Sequence, residues 1–210
     1  MVRVSRIFLL SPASCSGRRA QLLLRGGATP LARALREEGA ALAEVFAFVS
    51  ALYFRGKIVY ARTFARPPVE VAPAWVITSS RGLVDAESRI RLDDLREFGR
   101  VPIGIDSGEY RKALEATSLR LAGRIGACSD VVLLGSIATG KYVEILHDIF
   151  GGRLRYPVEF IGRGDMSRGG LMLRHADEGR ELEYVPIDDR PRRGARPPKL
   201  EPIRLRGGKR

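Results

Sequence analysis

Two cysteines, two histidines and one tryptophan are all that the 210 residues supply of these types. Cys15 and Cys128 lie far apart, and with His147 and His175 they make no familiar zinc-binding spacing. So little cysteine excludes a disulfide framework and suits a reducing compartment. Long hydrophobic runs are also missing. The apolar stretch at 40–54 is too short to span a bilayer and contains Glu44. The apolar run at 7–10 falls short of the roughly 7–15 residues of a secretory signal. A cytoplasmic protein without a membrane partner is expected, with no cofactor and no metal. There is no internal repeat and no excess of acid: 36 Lys and Arg face 24 Asp and Glu, giving a formal charge of +12. That charge is uneven. Residues 190–210 hold nine basic side chains against Glu201 alone, so +8 of the +12 sits in a Pro-, Arg- and Gly-rich tail. Such a tail reads either as a nucleic-acid tether or as a solvated, disordered extension.

Three times an apolar run leads into a loop of small, hydroxyl-bearing and cationic residues. Residues 6–10 run into Ser11-Pro12-Ala13-Ser14-Cys15-Ser16-Gly17-Arg18-Arg19. Residues 75–77 run into Thr78-Ser79-Ser80-Arg81-Gly82, and 131–134 into Gly135-Ser136-Ile137-Ala138-Thr139-Gly140-Lys141. If the three runs are parallel strands of one sheet, these loops share its carboxyl edge, where open α/β sheets bind ligands. Hydroxyls, backbone amides and positive charge would then converge on an anion.

Each loop has a candidate chemistry and a plainer alternative. Gly135 to Lys141 nearly spells a triphosphate-binding loop, but Tyr142 stands where that loop needs Ser or Thr for magnesium. Gly135, Ser136, Thr139 and Lys141 therefore read as an anion-binding turn or as a tight turn that only needs glycine. Cys15, between Ser14 and Ser16 and close to Arg18 and Arg19, is a candidate nucleophile or part of a ligand-contacting loop. Ser79, Ser80 and Arg81 are candidate ligand contacts. In 162–170, four glycines surround Arg163, Asp165, Ser167 and Arg168. Asp165 is the candidate general base or sugar-hydroxyl acceptor, and the cations are candidate phosphate contacts. The alternative is a glycine hinge. Arg55 and Lys57 stand beside aromatic residues, where a nucleic-acid contact and a solvated helix face are both open.

Hydrophobic spacing predicts strands at 7–10, 75–77, 130–134 and 158–161, with a further strand at 101–105 and an edge strand at 181–185. Helices are expected at 18–24, 31–38, 92–98, from Ser107 as N-cap to about 123, at 140–150 and at 171–176. The apolar periodicity from Leu42 to Phe64 predicts a helix divided at Gly56. Residues 81–91 and 162–170 read as loops. This alternation predicts one three-layer α/β domain over 1–187, with a mainly parallel sheet covered on both faces, and a mobile basic tail over 188–210.

The order of three segments carries a resemblance. Leu10-Ser11-Pro12-Ala13, then Ala51-Leu52-Tyr53-Phe54-Arg55-Gly56-Lys57, then Ile77-Thr78-Ser79-Ser80-Arg81-Gly82-Leu83-Val84 resemble the YaaA peroxide-stress family. They also resemble the uracil-glycosylase-like domain of archaeosine synthase and its small bacterial relatives. The resemblance covers roughly the first 90 residues and implies DNA binding and stress protection, or nucleobase handling in RNA. Asp85-Ala86-Glu87-Ser88 and the loop at 15–19 depart from those families, so no catalytic residue is carried over. The expected function is binding of nucleic acid or a nucleotide moiety, in maintenance, modification or stress defence. The alternative is an enzyme acting on the N-glycosidic bond of a nucleoside, nucleotide or nucleobase.

Overall fold

In the computed structural model, residues 4–26, 29–104, 106–138, 140–188, 194–198 and 200 are described. Strand β1 (Ser5–Leu10) is the centre of the architecture. Its residues Ile7, Phe8, Leu9 and Leu10 are all fully buried, which a strand achieves only when both faces of its sheet are covered. Successive side chains alternate faces, so Phe8 and Leu10 join one core and Ile7 and Leu9 the other.

The chain continues through α1 (Arg18–Leu24), α2 (Pro30–Glu37), β2 (Ala40–Ala41) and the long α3 (Leu42–Phe64). Next come β3 (Ala74–Thr78), β4 (Gly82–Asp85), β5 (Arg89–Ile90), α4 (Leu92–Arg100) and α5 (Gly108–Ile125). The last part holds β6 (Ser129–Leu134), α6 (Gly140–Phe150), β7 (Leu154–Pro157), α7 (Asp165–Asp177) and β8 (Tyr184–Pro186). Six strands form one sheet in the order β4-β3-β1-β6-β7-β8, while β2 and β5 pair separately. Strands β3, β1, β6 and β7 run parallel, and β4 and β8 close the edges antiparallel. Helices α1 to α4 and α7 contribute to the core on one face, and α5 and α6 to the core on the other. This is the three-layer, mainly parallel α/β fold expected from the alternation of elements. Among the described residues no helix is long and apolar enough to cross a membrane.

The chain leaves β1 for β3 on one side and returns to β6 on the other, so the order of strands reverses between β1 and β6. At such a reversal the connections at the carboxyl ends diverge and leave a crevice.

Several boundaries differ from the sequence reading. Residues 81–91 are not one loop: Ser79, Ser80 and Arg81 are the turn of the β3–β4 hairpin, closed by Thr78 Oγ1 donating to Gly82 O at 2.9 Å. Gly82 has φ +63°, and a Cβ there would lie 2.2 Å from Ala113 O. Both conditions demand glycine. Residues 101–104 form no strand. The strand expected at 158–161 is β7, four residues earlier, and 158–160 make a single 3-10 turn. The expected glycine loop at 162–170 enters α7 at Asp165. Helix α3 breaks at Ala51 (φ 48°, ψ −126°), not at Gly56. Gly56 serves close approach instead: a Cβ there would meet Gly169 O of α7 at 2.6 Å.

Of the basic tail, Leu200 packs against the core and Pro198 O accepts from Arg163 Nη1 at 3.3 Å. Residues 189–193, 199 and 201–210 lie outside the described ones.

Candidate functional site

A cavity of about 740 Å³ opens where the crevice is expected. Its lining includes the whole of Ser11 to Ser16 after β1, Thr78 and Ser79 at the end of β3, and Ser136 and Lys141 after β6. Asp165, the first residue of α7, lines it too. The loops that the sequence only implied could meet therefore do meet.

The hydroxyls are not equally free to bind a ligand. Thr78 is committed to the hairpin, and buried Ser79 donates to Phe98 O at 2.7 Å. Ser14 and Ser16 are exposed, with their hydroxyls 3.4 Å apart. The backbone amides of Ala13, Ser14, Cys15 and Ser16 have no hydrogen-bond acceptor among the described residues. Ala13 and Cys15 are buried, where an unpaired amide costs free energy, and Ser14 and Ser16 are exposed, so the run of donors can take an acceptor from outside the chain. Lys141 and Arg100, both exposed at the cavity, make no ion pair among the described residues. Asp165 is the one carboxylate of the lining among the described residues, paired with Arg168 Nη1 at 3.6 Å.

The turn after β6 explains Tyr142. Its hydroxyl donates to Ser136 O at 2.8 Å, and Ser136 Oγ accepts from Ala138 N at 3.4 Å, so the turn is tied to the helix that follows it. Gly135 itself is not part of the lining. A Cβ there would lie 2.7 Å from Ser11 Cβ and 2.9 Å from Tyr142 Oη, so glycine lets the β1 and β6 ends touch. Thr139 lies outside the described residues.

Other candidates are occupied elsewhere. Arg81 pairs with Asp94 at 2.6 Å and with Glu97, two of the three acids of α4, and Ser80 donates to Glu97. Those hydrogen bonds hold the Glu97 carboxyl below its ordinary range and leave Arg81 no charge to spare for phosphate. Arg18 and Arg19 start α1 away from the cavity lining, and Arg19 Nη1 donates to Phe48 O at 3.2 Å. Arg168 is buried and gives two hydrogen bonds to Phe160 O, at 3.2 and 3.1 Å, so it positions α7 and Asp165 and does not reach for a ligand. Arg163 and Ser167 line a second, smaller cavity beside the tail. Cys15 does line the main cavity, but burial pushes its thiol up to about 12 and its Sγ donates to Ala13 O at 3.6 Å. A thiol held protonated is a wall residue and a poor nucleophile, because no cation lowers its pKa here.

Sequence reasoning missed the aromatic side of the cavity, and it read the most unusual group there, Lys57, as a nucleic-acid contact or part of a solvated helix face. Phe46, Tyr53 and Phe98 line the cavity together with 99–103, which overlaps the strand expected at 101–105. Behind them Lys57 is fully buried: its Nζ donates to Ser11 O at 2.8 Å and approaches Ser11 Oγ at 2.6 Å. It lies 4.0 Å from the centre of the Tyr53 ring and 5.2 Å from that of Phe54. Burial lowers its pKa to about 7, against the weaker opposite pull of Asp165. The signal was in the sequence: Tyr53, Lys57 and Ala61 share one row at i, i+4 spacing on the apolar side of α3. The Tyr53 hydroxyl is also buried, with no hydrogen-bond partner at bonding distance, although Arg168 and Ser11 are near enough to influence it.

Among the described residues no group of three His, Cys, Asp or Glu side chains could hold a metal ion. The arrangement can instead take up an acceptor-rich, negatively charged group at the amide run and the free cations, beside a flat ring on the aromatic side. Family models, curated proteins and solved structures show no match to this chain.

Proposed function

We propose that the chain binds a nucleotide moiety, free or within nucleic acid, in the cavity at the carboxyl edge of β1, β3 and β6. One observation carries this reading: three strand-end loops and Asp165 line a single cavity at the point where strand order reverses. Phosphate fits Lys141, Arg100 and the unbonded amides of 13–16. A nucleobase fits the side made by Phe46, Tyr53 and Phe98, since stacking on such rings contributes about 1–3 kcal/mol per base. A volume near 740 Å³ holds a nucleotide with some water. The basic charge of the chain favours a polyanionic partner in the cytoplasm, in nucleic-acid maintenance, modification or stress defence.

Calorimetric titration with nucleoside 5′-monophosphates and with a short oligodeoxythymidylate tests this. Lys141→Ala is expected to weaken the monophosphate about tenfold, the effect of one lost charge-assisted hydrogen bond, and to change a free nucleoside little. Equal effects on both, or no binding of either ligand, would remove the reading.

A second reading is an enzyme acting on the N-glycosidic bond, favoured by Asp165 standing on the lining with its carboxylate exposed. Asp165 would then stabilise charge at the sugar or activate water. Asp165→Asn is expected to abolish release of free base, read by chromatography, while keeping nucleotide affinity; an unchanged rate rejects this reading.

A further inference from the structure

We propose that Ser11 and Lys57 form a serine–lysine pair, with Ser11 Oγ as a nucleophile toward the carbonyl carbon of an ester or amide and Lys57 Nζ as its proton acceptor and donor. This is an activity beyond nucleotide binding, although it uses the same cavity.

The geometry is that of an activated nucleophile: Nζ lies 2.6 Å from Oγ and 2.8 Å from Ser11 O. Ser11 ends the central strand and lines the cavity, whereas Lys57 stands behind it, fully buried. A buried ammonium ordinarily needs a carboxylate in contact. Among the described residues Lys57 makes no ion pair: its contacts are one hydroxyl, one carbonyl and the faces of two rings, while Asp165 and Arg168 of α7 act on it only through space and in opposite directions. Two hydrogen bonds and two ring faces would stabilise an ammonium, so a purely structural clasp between β1 and α3 requires a charged Nζ, whereas a base requires a neutral one. A lysine retained as a base gains a large neutral population near pH 7, because burial lowers its pKa to about 7. Neutral Nζ can donate one N–H to Ser11 O while its lone pair accepts the Ser11 proton. The loop that continues from Ser11 carries the amides of 13–16 that have no acceptor, the donors available to a developing oxyanion.

In the first step the Oγ–carbon bond forms and the bond from that carbon to the alcohol or amine breaks. The Oγ proton passes to Nζ and from there to the departing group. In the second step water attacks the acyl-serine and gives its proton to Nζ. The Oγ–carbon bond breaks, and Ser11 recovers its proton from Nζ. The sum is hydrolysis, with nothing oxidised or reduced.

The test is covalent labelling of the full-length protein with a fluorophosphonate, followed by peptide mass spectrometry. The expected result is one adduct on Ser11, formed faster as pH rises through about 7 and absent in Ser11→Ala. Lys57→Arg keeps a positive charge but supplies no base, so it is expected to slow labelling at least a hundredfold with the circular dichroism spectrum unchanged. If Lys57→Arg fails to fold, the pH profile of the parent protein decides alone. No adduct on Ser11, or a labelling rate flat between pH 5.5 and 8.5, overturns the proposal. Titration of the same unlabelled protein with a nucleoside monophosphate is a separate readout. Binding without labelling removes the pair and keeps the nucleotide reading, and labelling without binding does the reverse.

Discussion

Lys57→Met is expected to remove a rise in stability of roughly 3 kcal/mol that the parent protein shows between pH 7 and 9.5. The sign follows from burial. In the unfolded chain Lys57 keeps its proton up to the ordinary lysine value of 10.5, whereas in the folded chain it loses the proton at about 7. Between those values the unfolded state binds more protons than the native state, so unfolding becomes less favourable as pH increases. Below pH 7 both states are protonated, and the folded protein carries the full cost of a buried charge. The window stops short of 10 because Tyr60, Tyr110 and Tyr142 are held neutral by burial. Above 10 their ionisation in the unfolded chain opposes the lysine effect. Urea denaturation at half-unit pH steps checks this: a parallel pair of curves for parent and variant would show that Lys57 stays charged when folded.

Gly56→Ala is expected to destabilise the protein by about 3 kcal/mol, the upper part of the range for forcing atoms into a packed contact. Helices α3 and α7 make the most extensive helix–helix packing of the chain. At their crossing a Cβ on Gly56 would meet Gly169 O at 2.6 Å and Gly169 Cα at 2.9 Å. The contact is reciprocal, since a Cβ on Gly169 would lie 2.8 Å from Leu52 O. Backbone meets backbone, so no side chain can rotate away and the helices must separate. Intrinsic helix propensity points the other way, favouring alanine by about 1 kcal/mol, so a loss of stability identifies the crossing as its cause. Separation of α3 from α7 also moves Lys57 and Tyr53 relative to Asp165, and ligand affinity should fall with stability. Thermal unfolding with and without a nucleotide reads both effects; a neutral or stabilising Gly56→Ala would contradict the close crossing.

The central strands were legible in the sequence because burial on both faces leaves a simple mark, an unbroken apolar run ended by small residues. β1, β3 and β6 appear close to where that mark put them, and so does the meeting of their loops. Helix α6 and the Ser107 cap of α5 were legible for local reasons, glycine at one start and a hydroxyl accepting from Tyr110 N at the other. What the sequence did not show was chosen by tertiary contact. Gly56 looks like a helix breaker until Gly169 is beside it, while Ala51, an ordinary helix former, carries the kink. Arg81 and Arg168 look like anion ligands until Glu97 and Phe160 O are seen to occupy them. Lys57 looked like surface charge because a cation on the apolar row of a helix is rare, and its partner Ser11 lies 46 residues away. The segment 101–103 carries strand-forming residues but joins no strand, and it becomes cavity wall.

The most direct test of the shared cavity is an amide-resolved NMR titration of the full chain with a nucleoside 5′-monophosphate. Saturable shifts with one dissociation constant are expected at Ala13 to Ser16, Thr78 and Ser79, Ser136 to Lys141, and Asp165. Shifts confined to residues 190–210, or different constants for the separate loops, would contradict the shared cavity.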